Sequence, residues 1–242
     1  ANEGYFEGTD YAANSFFASV EKRINKNHSL NFTSIYGQNY RGKNSPNTQE
    51  VTDIAGVKYN SYWGYQNGEQ RNSRVKKLAE PINMLSHYWK MSDKTTLNTN
   101  VAYQTGSIGN SRLDYQGKPN PDPTYYRNLP SYYITQFDDN GVYIGNSATN
   151  QLEASRAKFL TNRQLNWNEM YDTNRASTDG NSYYVLYEDR TDDNQLSANS
   201  ILFSDLSDNV KLNAGVNFKK LTSNNFQNLL DLLGGSYYND SD

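Results

Sequence analysis

The stretch from Asn209 to Lys220 constrains this chain more than any other. Val210, Leu212, Ala214, Val216 and Phe218 alternate strictly with Lys211, Asn213, Gly215, Asn217 and Lys219. A period of two puts the first set on one side of a β-strand and the second on the other. The apolar side needs a cover. The wet side, with its lysines and asparagines, is too polar to pack against a second sheet. The run also matches the roughly 9–11 residues that a tilted strand needs to cross a bilayer.

The same alternation recurs in pairs along the chain. Tyr11 to Ile24 and Ser29 to Tyr40 read as a hairpin around Asn25–His28, with Phe16, Ala18 and Val20 on one face and Leu30, Phe32, Ser34 and Tyr36 aligned in the return strand. A second hairpin runs from Ile82 to Met91, turns at Ser92–Thr95, and returns from Thr96 to Gly106. Tyr183–Glu188 begins a further strand that continues into Gln195–Phe203, and Ser204–Asp208 turns into the opening stretch. These connections are short, whereas residues 41–80 and 107–193 are long. The first long connection holds one expected helix, from Asn47 to Gly56. The second holds a small hairpin around Asn140-Gly141, from Phe137 to Tyr143, and a helix from Gln151 to Tyr171. Phe226 to Leu233, closed by Gly234-Gly235, reads as one more short helix.

Short and long connections that alternate without exception are the habit of outer-membrane barrels, with tight periplasmic turns and extended external loops. The expected fold is therefore all-β: about six antiparallel staves of a transmembrane β-barrel, with short helices in long extracellular loops. Asn31, Thr33, Asn98, Asn100, Asn213 and Asn217 are expected to face the lumen. Tyr88 and Trp89 beside one short turn, and Tyr36 and Tyr40 at the far end of their stave, stand where a barrel places headgroup-level rings. Closed bacterial barrels have at least about eight strands, so the chain reads as a piece of a longer protein. Its start, Ala1-Asn2-Glu3-Gly4-Tyr5, has no signal segment.

Composition agrees with that reading. Twenty-one tyrosines beside a mean hydropathy of −0.93 suit wet loops and aromatic girdles better than a thick apolar core. The net charge of −3 offers no broad basic field, and the cluster from Arg71 to Lys77 is balanced by acids elsewhere, so nucleic acid is not an expected partner. With no cysteine, disulfides and thiolate metal sites are excluded.

No catalytic constellation is legible. His28 falls in a turn and His87 in a stave, with no nucleophile elbow near either. Asp138-Asp139 is first of all a turn sequence, and Asp189, Asp192 and Asp193 lack the spaced ladder and closing glutamate of a calcium loop, so neither a metal nor a cofactor is expected. The ring- and amide-rich external segments are the candidate ligand surfaces, through Tyr62, Trp63 and Tyr65 in one and Tyr125, Tyr126, Tyr132 and Tyr133 in the other. The alternative use of these rings is to pack the loops against one another.

Several stretches, taken in order and spacing, resemble a known family. They are Gly4–Thr9, Lys22–Leu30, Tyr59–Gly68, Pro119–Tyr126 and Asp231–Tyr237. Together they are similar to the TonB-dependent outer-membrane transporters of Bacteroidota, specifically the large Oar-like receptors with a carboxypeptidase-regulatory-like domain. The resemblance implies a barrel of about twenty-two strands filled by an N-terminal plug. It also implies drive through TonB, ExbB and ExbD, residence in the outer membrane, and in some members a SusD-type surface lipoprotein. This chain departs from that pattern: no plug, TonB box or closing terminal strand is present, so it is expected to be a middle segment of the barrel. The family's ligands include peptides, glycans and siderophores, and the resemblance selects none of them. Two rivals are a soluble or surface-attached β-sheet domain that binds carbohydrate or adheres, and an outer-membrane hydrolase.

Overall fold

The computed structural model describes residues 2–134, 137–138, 140–142 and 149–240. The chain is all-β and antiparallel, with helices confined to its connections. In order, β1 is Asn2–Glu3, β2 Asp10–Arg23, β3 His28–Gly42, α1 Gln49–Ala55, β4 Trp63–Gln66, β5 Glu69–Asn72, β6 Val75–Ala79, β7 Ile82–Lys90 and β8 Thr95–Tyr115. There follow a 3-10 turn at Tyr126–Asn128, α2 at Pro130–Ile134, α3 at Thr149–Thr161, α4 at Trp167–Arg175, β9 at Tyr184–Ser207 and β10 at Val210–Asp231.

One meandering sheet runs β1-β2-β3-β6-β8-β9-β10, with β7 beside β6 between β3 and β8, and β4-β5 form a separate hairpin. Ile35 pairs with Ile82 and Gln38 with Ala79, so β6 and β7 keep one register across Glu80-Pro81. Pro81 has no N–H to give the ladder, which is why one stave is recorded as two strands. Counting them as one and setting aside the two-residue β1, six long staves stand in the sheet among the described residues.

Local chemistry explains the turns. The Asn25 side chain accepts hydrogen bonds from the Asn27 and His28 amides at 2.8 and 3.1 Å, which closes the first turn. Ser92 Oγ accepts from the Lys94 amide in the second. In the third, Ser207 pairs with Val210, leaving Asp208-Asn209 as a tighter link than the expected 204–208. Thr48 caps α1 through the Val51 amide, and Gly56 at φ 95° stops it. Asn67 and Gly68, both at positive φ, make the two-residue turn of β4-β5.

Three expectations need correction. The staves are longer than the sequence indicates: β6 begins at Val75, β8 runs to Tyr115 and β9 starts at Tyr184, so the long connections are 43–74 and 116–183 rather than 41–80 and 107–193. The helix expected over 151–171 is two, because Asn166 caps a new one by accepting from the Glu169 amide at 3.1 Å, while Leu165 is drawn into the core. Phe226 to Leu233 is not a helix. Phe226 pairs with Arg190 and Asp231 with Leu186, so β10 continues to Asp231, and Leu233 (φ 49°) and Gly234 (φ 89°) end it. A short leucine-rich run has no periodicity of its own to choose between the two states, and a ready partner strand decides. The expected hairpin over Phe137–Tyr143 lies partly outside the described residues, as does Asp139. In the described part, Asp138 Oδ1 accepts from the Asn140 and Val142 amides.

The buried apolar side chains gather at one end of the sheet. Leu165, Trp167 and Met170 pack with Tyr184, Leu186 and Leu233, while Val51, Tyr59, Leu129 and Phe159 form a second cluster in the connections. Among the described residues, no apolar side chain within 12–36, 82–108 or 191–229 is buried. The end of the sheet near the short turns is thus a single layer.

Candidate functional site

Register makes each face of that single layer legible as rows. Val20 pairs with Phe32, Phe32 with Leu85, Leu85 with Val101, Val101 with Ala198 and Ala198 with Phe218, an apolar row across all six staves. One residue along, on the opposite face, Glu21, Asn31, Ser86, Asn100, Asn199 and Asn217 make a polar row. The six side chains expected at the lumen, Asn31, Thr33, Asn98, Asn100, Asn213 and Asn217, all fall on this polar face. They bond along it: Asn100 donates to Asn199 at 2.8 Å, Asn31 to Ser19 at 3.0 Å, and Thr33 to Asn31 at 2.8 Å.

The apolar face lies open. Leu212, Val216 and Phe218 are 40, 69 and 55% exposed, with no second layer of the described chain above them. The chain's two histidines sit on this face near the short turns, with His28 Nδ1 and His87 Nε2 3.0 Å apart and Trp89 5.3 Å from the His28 ring.

At the other end, the long connections fold over the same face. Leu113 and Leu186 share the face of Leu97 and Leu202 by register, and Trp167 of α4 packs on them with Leu165 and Met170. Arg71 ties this layer together. Its guanidinium lies 4.3 Å from the Trp167 ring and bonds Asp231 at 2.7 Å, and its carbonyl accepts from Trp167 Nε1. Burial alone would raise the Asp231 carboxyl, but bonds from Arg71, the Leu233 amide and Tyr171 outweigh it and hold it below the usual range.

Buried asparagines do comparable work. Asn174 donates to the carbonyls of Tyr184, Leu232 and Leu233 and accepts from the amides of Tyr183 and Tyr184. Asn60 accepts from Ser45 and Tyr62 and donates to Glu7 and Lys43. Asn72 bridges Gly8 and Lys43. Sequence reasoning missed all three, because an asparagine carries the same letter whether it is solvated or, like Asn174, satisfies five backbone groups.

The candidate aromatic residues have separate fates. Trp63 is only 6% exposed and lies flat on Gly8, where a Cβ would stand 2.1 Å from its ring. Tyr65 is 56% exposed and edges a cleft of about 500 Å³ between Pro119–Pro123 and the α3–α4 link. Tyr125, Tyr126, Tyr132 and Tyr133 form an edge-to-face chain with centroids 4.7, 5.5 and 5.4 Å apart. Tyr62 stands apart from these, with Arg74 5.3 Å from its ring. The structure thus brings together the four tyrosines of the second segment but does not unite them with the first.

Of the acidic candidates, Asp189 pairs with Arg112 at 2.8 Å and Asp192 with Arg190 at 2.8 Å, whereas Asp193 Oδ1 is buried without a hydrogen-bond partner among the described residues. No group of three or more metal-ligating side chains occurs among the described residues. Among the described residues, no helix is long and apolar enough to cross a membrane. No family model, curated protein or solved structure matches the chain.

Proposed function

We propose that this chain is a segment of the wall of a TonB-dependent outer-membrane transporter that binds and imports a ligand. The observation that carries the reading is the bare apolar row from Val20 to Phe218, opposite a polar row from Glu21 to Asn217. A single layer that presents one unbroken row of Val20, Phe32, Leu85, Val101, Ala198 and Phe218 uncovered, with Leu212 and Val216 exposed nearby, has no stable place in water, and large exposed apolar patches mark surfaces that something else covers. Hydrocarbon is the cover proposed for residues 12–22, 29–36, 82–90, 95–105, 194–206 and 210–222. Because a sheet edge cannot face lipid, the outer margins of β2 and β10 are closed in this reading by the remainder of the barrel.

The polar rows then line the lumen and touch the plug, through which TonB, ExbB and ExbD act. The short turns lie in the periplasm, and residues 43–74 and 116–183 lie outside a Gram-negative cell, where a SusD-type lipoprotein has a surface to meet. The resemblance supplies the coupling partners, and the alternation of connections supports the orientation.

A charged side chain on a lipid face near the midplane costs about 2–4 kcal/mol, whereas a change on the lumen face is tolerated. Carried in the complete barrel, Val216→Arg is therefore expected to block the heat-modifiable form in gels, and Asn217→Arg to leave it intact. Equal behaviour of the two variants would sink the face assignment. A soluble carbohydrate-binding domain would instead stay monomeric in buffer without detergent.

A further inference from the structure

The run from Arg71 to Lys77 looks balanced in the sequence but divides in the fold. Arg71 turns away to Asp231, Lys77 falls on the opposite face beside Tyr40, and Arg74 and Lys76 meet more positive charge. Arg41 pairs directly with Lys76 across β3 and β6, and the Lys43 amide bonds the Arg74 carbonyl at 2.7 Å, so Lys43 and Arg74 also face one another. Alternation around Gly42 and Val75 puts all four side chains on the polar face.

Like charges placed opposite one another destabilise a sheet, and two successive pairs compound the effect. A local rule broken twice with no internal compensation marks a functional position. The compensation is indeed missing: among the described residues none of the four has a carboxylate within ion-pair distance. Asp189, the acid whose charge acts on Lys43, is held by Arg112, and Lys43 Nζ bonds the neutral Asn110 Oδ1 at 2.7 Å. Burial, and then Lys76, Arg74 and Arg41, push the Lys43 ammonium below its usual range, against a weaker pull from Asp189. Tyr62 supplies a ring beside Arg74.

We propose that Arg41, Lys43, Arg74 and Lys76 form a binding station for a ligand bearing carboxylate or phosphate groups. Guanidinium and ammonium groups converging on one face suit such oxygens in number and geometry. The station sits at the root of the 43–74 connection, on the face assigned above to the lumen. Its position over a pore rests on the transporter reading, but its affinity for anions does not.

The test is calorimetric titration of the detergent-solubilised chain with citrate and with inorganic pyrophosphate. Arg41→Gln/Lys76→Gln is expected to weaken binding at least about tenfold while leaving the fold as stable or more so, because repulsion is relieved. Lys219→Gln, on the same face but outside the station, is expected to bind as the parent does. Added salt should weaken binding steeply. Failure of the parent chain to bind either anion overturns the proposal. So does equal loss in Lys219→Gln, or destabilisation of the double variant, which would make the four residues structural. Capture of an acidic peptide without either small anion would reassign the surface to a protein contact and overturn it too. If anions bind but Val216→Arg still assembles, the station stands and the membrane reading falls.

Discussion

Tyr103 and Leu113 lie ten residues apart on one face of one strand, yet they face different surroundings. Near Tyr103 the face is bare, and Leu85, Val101 and Phe218 stand exposed beside it. Near Leu113 the same face is roofed by Trp167, Leu165 and Met170, with Leu233 closing the side. Continuous strand patterning therefore does not say what covers a strand. The covered end makes its own interior from its connections, while the bare end is left without a cover among the described residues. Charge follows the same division: Glu188, Arg190 and Asp192 share this face in the covered end, and Glu188 is buried there against Arg190 and Asn228.

If the two ends are separately stabilised, damage should stay local. Trp167→Ala should cost the roof about 3–5 kcal/mol, seen as faster amide exchange and proteolysis across 116–183. The staves at 95–105 should be unaffected, and loss of protection there would erase the distinction. Val216→Arg, at about 2–4 kcal/mol, should do the reverse, abolishing barrel assembly while leaving the roof protected in exchange measurements. Asn174→Ala strands the backbone groups of Tyr183, Tyr184, Leu232 and Leu233, and about 1–3 kcal/mol is expected, confined to the covered end in thermal or exchange experiments.

Acid gives the gentlest probe. Asp231 holds its carboxyl below the ordinary value of 3.8, so its contribution is complete above that pH and is lost as the solution falls through the lowered folded value. Exchange around 163–175 should accelerate only below pH 3.8, and Asp231→Asn should remove that step.

The bare end was almost wholly legible in the sequence, because alternation at period two depends on each residue's neighbours two positions away. Val216 and Asn217 could be assigned to opposite faces from their letters alone. The covered end resisted reading, because its determinants are distant in the chain. Arg71 meets Asp231 and Trp167, Asn174 meets Leu232, and Tyr59 donates to the carbonyl of Arg163. Leu229-Leu230 reads as helix in the sequence yet is strand in the fold, because Tyr187 on β9 offers Leu229 a ladder. Of the site, the amide-lined face was readable, and the cation quartet was not, since Arg41 and Lys76 become neighbours only through the pairing of β3 with β6.

The outer margin of β10 has a practical consequence. Among the described residues, its backbone from Val210 to Asp231 pairs on one side only, with β9. A ribbon that long, with donors and acceptors alternating along an open selvedge, is a template for any extended strand that meets it. Produced in buffer without detergent or a companion strand, such molecules should zip onto one another, margin to margin, and precipitate as sheets rather than remain dispersed.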